Sequence, residues 1–240
     1  MALLEASDLI KQYHKRRVVD GVSLHVASGS VVGLLGPNGA GKTTTFYMIA
    51  GFVRPQSGKV MLDGEDISAL PIYKRAKRGV SYLAQEPSVF KKLTVEENIR
   101  IVLEPLGLGE DEIDNRINGL LEDMKIQQLA ANKANTLSGG ERRRVEIMRA
   151  LAIKPRFVLL DEPFAGIDPL SVADLQQIII RLKAKGLGVL ISDHNVRETL
   201  SVCDYAYIIS SGRILTSGNA DEIVKNEAAR KIYLGENFSI

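Results

Sequence analysis

Gly36-Pro37-Asn38-Gly39-Ala40-Gly41-Lys42-Thr43 is the stretch from which the fold can be read. It fits G-x-x-x-x-G-K-[ST], follows the apolar run Val31–Gly36 and opens a helical stretch from about Lys42 to Ala50. Glycines let successive backbone N–H groups turn inward around an anion, and a helix N-terminus adds partial positive charge. Lys42 supplies a point charge for β- and γ-phosphates, and Thr43 offers a hydroxyl to Mg²⁺. Residues Gly36 through Thr43, together with Thr44, therefore read as a P-loop that binds nucleotide phosphates.

On both sides of this loop, strand and helix patterns alternate, which predicts an α/β fold with a mostly parallel sheet. Lys59–Leu62, Val80–Leu83, Phe157–Asp161, Gly188–Ser192 and Tyr205–Ser210 read as strands. The first 27 residues alternate apolar and polar, as in Ser23-Leu24-His25-Val26, and predict an antiparallel β-layer. From 85 to 152 no strand is expected. Thr94–Glu104, Glu110–Met124 and Ser138–Ala152 read as helices, an insertion that leaves 1–84 and 153–240 as the core.

Composition is that of an ordinary globular chain: 240 residues, 45% apolar, 25% charged and a net charge of +2. Wholesale disorder, collagen-like structure and a disulfide scaffold are excluded. The lone Cys203 fits a reducing compartment. No apolar stretch approaches the roughly 20 residues of a membrane span. Glu5 and Asp8 precede the first basic residue, Lys11, unlike a secretory signal. A cytoplasmic protein is expected, with any membrane association made through partners. Lys15-Arg16-Arg17, the Lys74–Arg78 run and Arg142-Arg143-Arg144 are short and balanced by acids. They read as solvated or interface charge rather than a nucleic-acid surface.

Two further stretches carry chemistry. Phe157-Val158-Leu159-Leu160-Asp161-Glu162 is a buried strand ending in two carboxylates. Asp161 suits a Mg²⁺ shell, and Glu162 could polarise a water toward a γ-phosphate. Leu137-Ser138-Gly139-Gly140-Glu141 opens a helix with a capping box from Ser138 to Glu141. Gly139 and Gly140 each disfavour a helix by about 1 kcal/mol against alanine, which makes sense if a phosphate approaches that backbone.

With this LSGGE stretch, the chain resembles the ABC-transporter ATPase family over essentially all 240 residues. The resemblance implies a P-loop NTPase core with an antiparallel β-layer and an inserted helical subdomain. Tyr13 looks like the aromatic that stacks on adenine, and Gln85 like the glutamine that senses Mg²⁺ and the attacking water. Ala165-Gly166-Ile167-Asp168 resembles the D-loop, and His194 the histidine that bonds the γ-phosphate. Glu141 stands where glutamine is commoner. The implied cofactors are ATP and Mg²⁺, the latter held by Thr43, Gln85 and Asp161. Catalysis would fall to Glu162, His194, Gln85 and Lys42.

A head-to-tail homodimer is also implied, with one subunit's P-loop facing Ser138, Gly139 and Gly140 of the other. Two integral membrane subunits would dock near the Gln85 loop. There Val89, Phe90 and Leu93 read either as core or as a groove, with Phe90 as anchor. The chain would then sit peripherally on the cytoplasmic face of the inner membrane. Within the family, LSGGERRRVEIMRAL, DEPFAGID, SDHNVRET and the end YLGENFSI resemble the group that powers lipopolysaccharide export in Gram-negative bacteria. The alternative is the branched-chain amino-acid import group, whose switch histidine is usually followed by aspartate where this chain has Asn195. A soluble ABC ATPase outside transport is a more distant resemblance.

Overall fold

The computed structural model describes residues 1–235 and 238. Within the expected tail motif, Glu236, Asn237, Ser239 and Ile240 lie outside the described residues. The strands are β1 (Leu3–Tyr13), β2 (Arg16–Ala27), β3 (Val31–Leu35), β4 (Ser57–Leu62), β5 (Glu65–Asp66), β6 (Val80–Leu83), β7 (Phe157–Asp161), β8 (Gly188–Asp193), β9 (Tyr205–Ser210) and β10 (Arg213–Gly218). The principal helices are α1 (Lys42–Ala50), α2 (Ile72–Lys77), α3 (Val95–Leu103), α4 (Glu110–Met124), α5 (Gly139–Ala152), α6 (Pro169–Ala184), α7 (Val196–Leu200) and α8 (Ala220–Lys225).

Two sheets form. The first has the order β2-β1-β4-β5 and is antiparallel throughout. The layer expected from the first 27 residues thus extends to β4, which pairs with β1 rather than joining the parallel sheet. Period-2 alternation explains this: Val60 and Leu62 are buried while Lys59 and Met61 are not. The second sheet has the order β10-β9-β3-β8-β7-β6; its strands run parallel except β10.

Both faces of the parallel sheet are covered, which is why its strands read as continuous apolar runs. Phe157 and Leu159 of β7 join a core with Phe46, Met48 and Ile49 of α1 and with the antiparallel sheet. Val158 and Leu160 face the other way, into a core shared with Ile99 of α3, Ile117 of α4, Val145 and Met148 of α5, and Ile178 of α6. The helices after β6 are therefore packed directly on the sheet.

Two basic runs differ from their expected solvation. Arg75 is fully buried, and Arg143 nearly so. Arg75 donates to the carbonyls of Met48 and Ile49 at the end of α1, and to those of Ser68 and Leu70. Arg143 pairs with buried Glu146 at 3.0 Å. Elsewhere in these runs Arg17 pairs with Asp20, Arg78 with Glu65, and Arg144 with Asp174.

Register brings the polar ends together. Leu35 lies beside Asp193, Asp161 beside Ser192, and Leu83 beside Leu160. The segments that follow β3, β6, β7 and β8 therefore emerge at one edge of the sheet, where open α/β sheets bind ligands.

Candidate nucleotide-binding and hydrolysis site

Segment 36–41 is shaped by backbone contact. At Gly36 (φ 150°) a Cβ would stand 2.1 Å from the Ile209 carbonyl oxygen, so only glycine fits. Lys42 is buried and donates to the carbonyls of Gly36 at 2.6 Å and Pro37 at 3.0 Å. Burial lowers the affinity of this ammonium for its proton, opposed by the charges of Glu162, Asp193 and Asp161. The first turn of α1 has no side-chain cap and no acidic residue. A buried cation resting on weak carbonyl partners, beside an uncapped helix start, fits a phosphate chain. Pro37, Asn38, Gly39 and Ala40 also line a cleft with Arg16, Arg17 and Val18. Tyr13 stands at the tip of the same hairpin, opposite Arg16, but is not on that cleft's wall. Its ring is 44% exposed, with the Lys11 ammonium 5.6 Å from its centre.

Asp161 ends β7 almost fully buried. Its Oδ1 accepts from Ser192 Oγ at 2.5 Å and its Oδ2 from Tyr82 OH at 3.0 Å. Burial pushes the carboxyl upward, opposed by these two hydrogen bonds. Burial also pushes the Tyr82 phenol up, with help from the Asp161 charge, which keeps it a donor. Among the described residues no cluster of three or more His, Cys, Asp or Glu could hold a metal. Mg²⁺ does not require one, since it is commonly held by one or two carboxylates and substrate phosphates. Asp161 with the Thr43 hydroxyl fits that donor set.

Glu162 has φ +44°, in the left-handed region that side chains rarely adopt. Its N–H donates to the Ser192 carbonyl at 2.7 Å, which ties its backbone to the end of β8. Its Oε2 accepts from Gln85 Nε2 at 2.7 Å and lies 3.3 Å from His194 Nδ1. Gln85, Glu162 and His194, from three separate segments, thus converge on one carboxylate oxygen. Beneath them Asp193 is fully buried and accepts from the backbone N–H groups of Phe164, His194 and Asn195. Burial raises its carboxyl. Asn195 donates to the Phe164 carbonyl at 3.3 Å. From the C-terminal segment, Tyr233 OH reaches the His194 carbonyl at 3.4 Å, and burial pushes this phenol up to about 12.

Ser138 and Gly139 are not on the wall of the cleft lined by Pro37, Asn38, Gly39 and Ala40. Ser138 is exposed, and its hydroxyl accepts from Glu141 N–H while Glu141 Oε2 accepts from Ser138 N–H at 2.8 Å. These contacts hold the Glu141 carboxyl below its ordinary range. Gly139 lines a cleft with Gln85, Arg142 and Glu162; residues 36–43 are not on that wall. Gly140 has a packing reason of its own, because its Cβ would stand 2.6 Å from Ser171 Oγ. At Gly139 a Cβ would meet nothing within 4 Å. Of the three apolar residues after Gln85, Val89 is core, Leu93 is half-buried and Phe90 is 45% exposed. The Arg149 guanidinium lies 4.7 Å from the centre of the Phe90 ring.

Sequence reading missed Tyr82, Ser192 and Asp193. Each lies in or at the end of an apolar run; the roles of Tyr82 and Ser192 come from Asp161 on neighbouring β7, and that of Asp193 from the loop N–H groups of Phe164, His194 and Asn195.

Residues 19–165 match the family model described as ABC transporter. The chain belongs to the ABC transporter family, and its fold is that family's ATPase cassette. It is 55% identical to the lipopolysaccharide export system ATP-binding protein LptB of Acidithiobacillus ferridurans, over 99% of both chains. It is 53% identical to the LptB protein of Haemophilus influenzae over 100% of both. Among solved structures, the ADP conformation of MJ1267, an ATP-binding cassette of an ABC transporter, superposes with a TM-score of 0.88. That match has 30% identity and covers 98% of this chain and 100% of that one. No helix among the described residues is long and apolar enough to cross a membrane.

Proposed function

We propose that the chain hydrolyses ATP to power lipopolysaccharide export, working as a homodimer bound to two integral membrane subunits on the cytoplasmic face of the inner membrane. The cargo reading rests on full-length identity of 53–55% to proteins named for that export system. That similarity favours export over the branched-chain amino-acid import group.

Hydrolysis rests on the convergence of Gln85 and His194 on Glu162. Lys42 and the N–H groups of segment 36–44 bind the β- and γ-phosphates, with Tyr13 reaching for the base from the hairpin tip. Thr43, Asp161 and Gln85 would hold Mg²⁺, which supplies charge neutralisation across those phosphates. Glu162 accepts the proton of the attacking water as the water oxygen bonds to the γ-phosphorus, while the bond from that phosphorus to the β–γ bridging oxygen breaks and ADP leaves with the electron pair. Gln85 orients the Glu162 carboxylate, and His194 donates to the γ-phosphate.

Ser138 and Gly139 are exposed and do not line the cleft of residues 37–40, so they suit an ATP held by a second copy. The helical segment 85–152 then acts as a subdomain whose exposed Phe90 offers a docking point to the membrane subunits. Replacing the corresponding ATPase gene in a Gram-negative host tests the cargo reading. Restored growth and outer-membrane lipopolysaccharide are expected. Failure by a stably expressed, ATP-hydrolysing protein that joins the host's membrane subunits would sink it.

A further inference from the structure

Asp161 is gripped from both sides by hydroxyls that the hydrolytic reading does not otherwise use. Ser192 sits beside it in the β7–β8 register and donates to Oδ1. Tyr82 lies opposite Leu159 on β6, hence on the same sheet face as Asp161, and donates to Oδ2. With one hydrogen bond on each oxygen, the carboxylate plane is fixed and lone pairs remain on both atoms.

The Tyr82 ring is itself held. Its centroid is 4.9 Å from that of Phe52, 6.3 Å from Tyr47 and 6.4 Å from Phe46, with interplanar angles of 60–78°. Phe46 and Tyr47 belong to α1, the helix that opens at Lys42, and Phe52 follows it. A rigid aromatic contact therefore runs from the phosphate-loop helix to the buried carboxylate.

We infer that Tyr82 and Ser192 are positioning residues that set the Asp161 carboxylate for a divalent cation, with Tyr82 tying its orientation to α1. This rests on the reading of Asp161 as a metal-holding residue. Groups that orient a metal ligand typically change metal affinity by about 10- to 100-fold when removed. Tyr82→Phe deletes only the hydroxyl and keeps the ring packing; Ser192→Ala removes the other donor.

The test reads metal binding, not turnover. The full-length protein is stripped of metal with EDTA, the chelator is removed by gel filtration and a fluorescent ATP analogue is bound; Mn²⁺ is then titrated and free metal is followed by electron paramagnetic resonance. Metal-free nucleotide affinity should stay within about twofold of wild type in both variants. Mn²⁺ affinity should fall about tenfold in each single variant and further in the double variant. Asp161→Asn separates the two readings. Loss of Mn²⁺ affinity in Asp161→Asn with wild-type affinity in Tyr82→Phe and Ser192→Ala overturns the positioning role alone. Wild-type Mn²⁺ affinity in Asp161→Asn overturns the metal reading on which it stands. Lost metal-free nucleotide binding in either single variant, with the melting temperature unchanged, would also overturn it.

Discussion

Glu162 couples chemistry to backbone geometry. Removing its charge with Glu162→Gln keeps the side chain's size and its reach to Gln85. Nucleotide binding should persist while turnover falls by about 10²- to 10⁴-fold, the usual worth of a general base. Near wild-type hydrolysis in the variant would remove Glu162 from that role. Its φ of +44° predicts something separate. A left-handed conformation costs an L-residue about 1–2 kcal/mol, and glycine is spared most of this. Both Glu162→Ala and Glu162→Gly lose the bond to Gln85, so their difference isolates the backbone. The glycine variant should melt about 2–4 °C above the alanine variant, from about 1 kcal/mol in a chain of this size. Equal melting temperatures would mean that the turn relaxes in solution.

At the scale of elements, α1 is held at its far end by α2. Arg75 gives four hydrogen bonds to the carbonyls of Met48, Ile49, Ser68 and Leu70. Arg75→Ala should cost about 3 kcal/mol, since buried carbonyls lose charged donors and a cavity opens. Urea unfolding would measure this, and a loss below about 1 kcal/mol would show that water replaces the guanidinium.

The same helix marks where sequence reading stops. Strands β3, β6, β7, β8 and β9 were legible because most of their residues are buried and apolar on both faces. Helix α5 announced itself by Ser138…Glu141, realised as a capping box, and the structure adds a second such box at Thr94 and Glu97 of α3. Helix α2 was not legible: Tyr73-Lys74-Arg75-Ala76-Lys77 lacks an apolar face, and its anchor is an arginine, a type normally solvated. The site divides similarly. Each stretch proposed to bind phosphate or carry an acid is continuous and could be read, whereas Tyr82 and Ser192 act through strand neighbours that only register reveals, and Asp193 through loop N–H groups brought to it by the fold.

For the whole molecule, the proposed service of exposed Ser138 to a second copy's nucleotide has a direct test. Lys42→Ala should abolish nucleotide binding in dilute protein. Ser138→Arg should leave binding intact and abolish hydrolysis, because it blocks only the surface offered to a second copy. Each variant alone should be inactive. Their mixture should recover hydrolysis, because a mixed dimer keeps one composite site with native Lys42 and native Ser138. No recovery from a mixture shown to form mixed dimers would sink the head-to-tail arrangement.

The uncapped start of α1 reaches beyond catalysis. Helices α3, α5 and α8 satisfy their first N–H groups with capping boxes, and α6 with Asp168. In α1 neither a cap nor a nearby acid does this, and Lys42 is buried beside it. The melting temperature then ceases to be a property of the chain alone and becomes a function of the anions dissolved around it. By mass action, pyrophosphate at about ten times its dissociation constant should add about 1.4 kcal/mol, or about 3–6 °C. Lys42→Ala should lose this gain, whereas the general stabilisation by sulfate at high concentration should persist in it. A buffer chosen for convenience would therefore set the stability measured for this protein before any nucleotide is added.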